Sequence, residues 1–158
     1  MKISKLAMAI AMTATVGIAG PVTATAAAPS VTLEVLGTYA SGVFDESAAE
    51  IVAHDPRTQR LFVVNANDAS VDVLDIMDPT NPAKIATIDA TAIGAGANSV
   101  AVSRGIVAVA IEAEDKTDNG KVAFYRASDL ALLNTVEVGA LPDMLTFTAN
   151  GQYVLVAN

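Results

Sequence analysis

Cysteine and tryptophan are absent from this sequence, histidine occurs once, and four Phe and three Tyr are its only aromatic residues. Without cysteine there is no disulfide framework, no thiol nucleophile, no lipid-anchor cysteine and no cysteine zinc site. A single histidine excludes a His-rich metal centre and any two-histidine mechanism. Basic residues are scarce: 9 Lys and Arg stand against 17 Asp and Glu in 158 residues, a formal net charge of −8. Such a chain is poorly suited to nucleic acid, whose binding rests on neutralising phosphates. The one long apolar run, Leu6 to Ala19, is interrupted by Thr13, Thr15 and Gly17 and falls short of the ~20 residues that span a bilayer.

What the first 28 residues do contain is the layout expected of an export signal. Lys2 and Lys5 make a positive start, the apolar run follows, and Gly20-Pro21 ends any helix. Ala24-Thr25-Ala26 and Ala26-Ala27-Ala28 then offer small-x-small cleavage sites, the third part of a secretory signal peptide. Residues 1–28 are therefore expected to be a signal peptide, with 29–158 as the mature chain and no transmembrane segment left after cleavage. Removal costs the chain Lys2 and Lys5 and leaves 7 bases against 17 acids, net −10. The expected location is the periplasm, the cell surface or the medium.

From residue 31 onward no amphipathic helix is legible. Short β-branched or alternating runs, separated by Gly, Pro, Asn and Asp, read as strands at 32–36, 50–54, 61–65, 70–76, 84–88, 99–102, 106–111, 121–126, 133–138, 144–148 and 153–157. The strands recur as a unit. Residues 50–88 hold four, 98–138 repeat the order, and 142–158 begin a third copy that stops after its second strand; the period is 49 residues from Glu50 to Ser99 and 44 from Ser99 to Asp143. Four strands in ~40–50 residues is the size of a propeller blade. The expected fold is all-β: a β-propeller fragment of about two and a half four-stranded antiparallel blades. The strand at 32–36 aligns with the fourth strand of each copy and is expected to complete a last blade that the chain does not contain.

Two resemblances enter here. LFVVNANDASVDVLDI (61–76) and VEVGALPDMLTFTANGQYVLVAN (136–158) are similar to the YVTN-type, WD40-like propeller repeat, with Asn65 and Asn158 at its terminal Asn. Residues 37–88, and GVFDESAAEI above all, resemble bacterial choice-of-anchor I proteins, relatives of mesenchyme-specific cell-surface glycoproteins of animals. The resemblance runs over the whole mature chain. It implies a secreted or surface-displayed propeller, truncated relative to longer family members, and it carries no catalytic residues across.

Turn chemistry accounts for many polar residues. Asp55-Pro56-Arg57-Thr58 and Asp78-Pro79-Thr80 suit turns in which Pro fixes φ and Asp accepts a backbone bond. Asn119-Gly120 and Asn150-Gly151 read as tight-turn dipeptides. Glycines at 94 and 96 are expected to supply positive φ between blades, and Asn65 and Asn158 to take left-handed backbone or bond their own turns.

In a propeller, the links from second to third strand and from blade to blade share one face, and the remaining links share the other. Sorted so, the first face holds Asp45, Glu46, Glu50, Asp68, Asp89, Glu112, Glu114, Asp115, Asp118 and Asp143 with only Lys116 and Lys121. The second holds Asp55, Asp75, Asp78 and Asp129 with Arg57, Arg60, Lys84, Arg104 and Arg126. A one-sided acidic field concentrates cations. Oxygen-ligated Ca²⁺ is the cation it would suit, with Asp45, Glu46 and Glu50 as the best local cluster; a merely solvated acidic surface is the competing account. The partner expected on that face is a protein, surface or matrix ligand.

No other residue builds a site. Counting from Asp115, an EF-hand would need a bidentate Glu where Arg126 stands. His54 beside Asp55 lacks a nucleophile elbow. The Gly94–Gly96 stretch has no Lys and no following helix. No catalytic residue or cofactor is assigned. The sequence favours a binding or surface-interaction module. Two alternatives stand beside it: the start of an alkaline-phosphatase-like or phosphoesterase-linked propeller enzyme, and a structural protein that binds mineral or matrix.

Overall fold

Alternation and β-branching resolve into ten strands in the structure, a computed structural model that describes residues 31–44 and 46–158. The strands are β1 (Val52–Asp55), β2 (Arg60–Asn65), β3 (Ser70–Asp75), β4 (Ala83–Asp89), β5 (Gly96–Ser103), β6 (Ile106–Glu112), β7 (Asn119–Arg126), β8 (Leu132–Ala140), β9 (Met144–Phe147) and β10 (Val154–Ala157). No helix forms among the described residues. The proposed signal peptide lies outside them.

The strands make two antiparallel sheets in simple sequential order, β1-β2-β3-β4 and β5-β6-β7-β8, and a hairpin, β9-β10. The first strands neighbour one another, β1 beside β5 and β5 beside β9, so successive sheets are arrayed about their inner edges. This is an all-β propeller arc of two blades and a half-blade, not closed into a ring. All three lie within the compact unit Glu34–Asn158.

Packing explains the residue pattern of each blade. Cross-strand partners Phe62 and Val73, and Val64 and Val71, put one face of the first blade against Val107, Val109, Ile111, Ala123 and Tyr125 of the second. Strand β6 is an unbroken apolar run because its blade is covered on both sides: the odd positions meet the first blade, while Ala108 and Ala110 meet Leu145 and the half-blade. Small alanines there allow the half-blade to approach closely. The half-blade is also tied by Ser99, whose buried Oγ accepts a bond from the Leu145 N–H at 3.2 Å. Being two strands wide, it leaves Val122, Phe124, Val136 and Val138 bordering a groove of about 390 Å³. Outermost β4 and β8 are largely exposed and carry Lys84 and Glu137 on their edges, as solvated edge strands commonly do.

Three local expectations are corrected, and that for Asn65 holds through its turn bond. Residues 32–36 form no strand, and Leu33 and Val35 are 98% and 83% exposed. A fourth strand needs a third strand with a vacant edge, and β3 and β7 are already paired with β4 and β8. Asn119-Gly120 is not a turn but the start of β7; the turn precedes it, where the Asp118 N–H donates to the Asp115 carbonyl at 2.9 Å. Gly120 is required by crowding, since a Cβ there would stand 2.5 Å from Pro142 Cδ and 2.7 Å from the Ile111 carbonyl oxygen. Gly94 is likewise crowded by the Glu112 carbonyl rather than left-handed, and Asn65 bonds its own turn without positive φ. Asn150-Gly151 is the turn expected, with Gly151 at φ +65°.

Among non-glycine residues positive φ falls on Ser47, Gln59, Ala69, Arg104, Leu130 and Leu141, all outside the strands. Left-handed backbone costs a non-glycine residue ~1 kcal/mol or more. Gln59 is exposed and at φ +53°. Gln59→Gly is expected to stabilise the chain by about 0.5 kcal/mol after the added unfolded-state entropy is subtracted, read as a raised urea midpoint at constant m-value.

Candidate functional site

The antiparallel order fixes which link emerges at which face, and the links carry the charges. On the acidic face three carboxylates, those of Asp68, Asp89 and Asp115, are engaged within their own turns. Asp89 accepts from the Thr91 hydroxyl at 2.6 Å and the Thr91 N–H at 2.8 Å. Asp115 does the same with Thr117 at 2.7 and 2.9 Å, and Asp68 accepts from the Asn65 side chain at 3.1 Å. Glu112 accepts from Asn98 at 3.2 Å and faces Lys116 at 3.7 Å. Among the described residues no three acidic or histidine side chains converge as metal ligands. Of the cation cluster expected from sequence, Asp45 lies outside the described residues, and Glu46 and Glu50 are exposed beside β1.

The same turn device recurs on the opposite face at Asp78, which accepts from the Thr80 hydroxyl at 2.7 Å and its N–H at 3.0 Å. Bonds to the ionised form hold carboxyls below their usual range. For Asp78 and Asp89 the threonine hydroxyl contributes most, for Asp115 the Thr117 N–H, and for Asp129 the Ala131 N–H ahead of Arg126. A carboxyl whose folded pKa is depressed stabilises the fold above its unfolded pKa and loses that contribution as pH falls through the folded value. Stability should therefore be level above about pH 5 and decline below about pH 4. Asp115→Asn keeps an acceptor but no charge, and thermal unfolding between pH 2 and 5 should show a shallower decline in that variant.

His54 and Asp55 do not form a catalytic pair. Adjacent strand residues point to opposite faces: His54 is exposed, and Asp55 is buried with its carboxylate accepting from the Thr58 hydroxyl at 2.7 Å and the Arg57 N–H at 3.4 Å.

The second face holds what the sequence counted without assembling. Asp55, Arg57, Thr58, Arg104, Gly105, Arg126 and Ser128 line a cleft of about 350 Å³ between the two full blades. Arg60 crosses between them, its Nη1 donating to the carbonyls of Ala127 and Ser128 at 2.8 and 3.0 Å. Arg126 pairs with Asp129 at 2.6 Å. Lys84 does not belong to this cleft. Its ammonium turns onto the first blade's flank and meets the buried Asp72 at 2.7 Å, a bond that raises the Lys84 pKa. That flank borders a second cavity of about 420 Å³, formed by Asp72 and Val63 with Tyr39, Ala40, Phe44 and Ala48, and Gly42, Val43 and Ala49 of the distinctive 42–51 stretch line it too.

A family model described as the choice-of-anchor I domain matches residues 50–158. Among solved structures, hydrazine synthase of Kuenenia stuttgartiensis superposes with a TM-score of 0.56 at 20% identity, over 68% of this chain. The chain spans 29% of that protein's length, and the likeness is one of fold. A comparison with curated proteins gives no match.

Proposed function

The chain belongs to the choice-of-anchor I domain family, and from that premise we propose that it is an exported β-propeller module that works at the cell surface by binding. The observation that carries this reading is the family match over residues 50–158 together with the excess of acids on one face of the arc, the other holding acids and bases in balance. A propeller presents its link faces to ligands while its blades bury their sides against one another, and a field of one sign steers a ligand of the other. The acidic face is thus the docking side for a protein, matrix or mineral surface that displays cationic groups. The leader-like residues 1–28 support export.

Absence of cysteine gives a direct test. Asn81→Cys places a single thiol on the exposed β3–β4 link. Expressed with residues 1–28 in intact bacteria, this variant should react with a membrane-impermeant maleimide, and a copy lacking 1–28 should react only after lysis. Equal protection of both would defeat the reading. For docking, retention on a cationic surface should fall as salt rises, and charge-neutralising Asp118→Asn plus Asp143→Asn should weaken it further.

A further inference from the structure

The strongest unassigned feature is the arginine cleft between the first two blades, on the face opposite the acidic one. Its arginines repeat with the fold. Arg57 and Arg104 both sit in the turn joining first to second strand, the turn carried by the innermost strand of each blade. Each reaches towards the corresponding turn of the next blade. Arg57 Nη1 lies 3.4 Å from where a Cβ on Gly105 would stand, and Arg104 Nε lies 3.1 Å from the same point on Gly151. The missing glycine side chains leave the room that the arginines occupy.

The other charges near the cleft already have partners. Arg60 is held by two carbonyls, Arg126 by Asp129, and the Asp55 carboxylate by Thr58 and the Arg57 N–H. Arg57 and Arg104 form no ion pair among the described residues. In a chain of net charge −8, two guanidiniums without carboxylate partners, on a face where acids are close at hand, stand out. Guanidinium groups present planar forks of N–H donors that match tetrahedral and carboxylate oxyanions, and the hydroxyls of Thr58 and Ser128 border the same space. A cavity of about 350 Å³ admits a small oxyanion or the head of an ester, not a folded polyanion.

We propose that this cleft binds a tetrahedral oxyanion of the phosphate class, free or as a monoester, with Arg57 as its principal donor and Arg126 at its rim, while the Arg104 side chain turns to Gly151 of the half-blade. The site is independent of where the protein is displayed and lies on the face opposite the proposed docking side, so its failure leaves that reading untouched.

The full chain should be titrated with inorganic phosphate, glucose 6-phosphate and sulfate, each against chloride at matched ionic strength, following arginine side-chain Nε–H signals and melting temperature. The expected result is saturable movement of the Arg57 signal with phosphate and no saturation with chloride. The better of phosphate and its monoester identifies the source. Arg57→Gln should weaken binding at least about tenfold, the loss of charge-assisted bonds, while Lys121→Gln on the acidic face leaves it unchanged. Should the Arg57 variant fail to fold, the wild-type signal decides alone. Absence of saturation with all three anions, equal response to chloride, or unchanged affinity in a folded Arg57→Gln variant would overturn the proposal.

Discussion

Phe62→Ala is expected to destabilise the chain by ~3–5 kcal/mol, the cost of losing a large buried side chain and leaving a cavity. Phe62 has no exposed surface and lies in the core shared by the first and second blades, opposite Val73 and among Val64, Val71 and Val109. Its ring belongs to one sheet and is buried by the next, so truncation weakens the contact between blades as well as the sheet that bears it. Single domains are stable by only ~5–15 kcal/mol, and an open arc has two flanks that no neighbouring blade covers. A large part of the total stability is at risk. Urea unfolding followed by tyrosine fluorescence should show the midpoint fall sharply. Phe44→Ala supplies the contrast: Phe44 is 92% exposed, and its loss should move stability by less than about 0.5 kcal/mol. Similar effects in the two variants would mean that the blades do not stack across Phe62.

The strand order was legible because each blade repeats a simple pattern that local chemistry enforces. Phe62 and Val64 against Val71 and Val73 alternate with period two, and the 50–88 and 98–138 copies reinforce one another. Legibility failed where a residue's role depends on something distant in sequence. The alternation at 32–36 is as good as that of β4, yet strand formation needs a vacant partner edge, which alternation does not encode. Gly120 follows an Asn, the dipeptide of a tight turn, but its reason is Pro142, 22 residues away and in the next inter-blade link. The arginine cleft had a readable signal that charge counting alone passes over. Arg57 and Arg104 occupy equivalent turns of two copies, and the recipient turns carry Gly105 and Gly151. Aligning the copies by turn rather than by strand exposes that recurrence. The acidic cluster shows the converse: Asp-x-Thr at 78–80, 89–91 and 115–117 looks like a supply of metal oxygens, but each carboxylate closes its own turn.

Lys84→Met is the second change expected to have a large effect, and its sign depends on burial. Asp72 is almost fully buried on the first blade's flank, with Lys84 at 2.7 Å and the Thr87 hydroxyl at 3.4 Å. The Lys84 side chain is about one third exposed, so the lysine itself keeps part of its hydration and the carboxylate keeps little. Replacing Lys84 by an apolar residue of similar length removes the main neutralising group and leaves a buried charge, a change that costs ~3 kcal/mol or more when a buried pair is broken on one side. Replacing both, as Asp72→Leu with Lys84→Met, removes the desolvation penalty with the attraction and should restore most of the loss. At the alkaline end the wild type should lose the pair's contribution. The Lys84 pKa is raised by the bond to Asp72, so the pair's contribution is complete below the unfolded lysine pKa near 10.4 and is lost only as pH rises through the higher folded value. A double-mutant cycle at pH 7, repeated above about pH 11, tests the pair and its loss. A coupling near zero at pH 7 would show that solvent reaching Lys84 screens the pair, and that the flank beside Tyr39 and Phe44 is wetter than the burial of Asp72 implies.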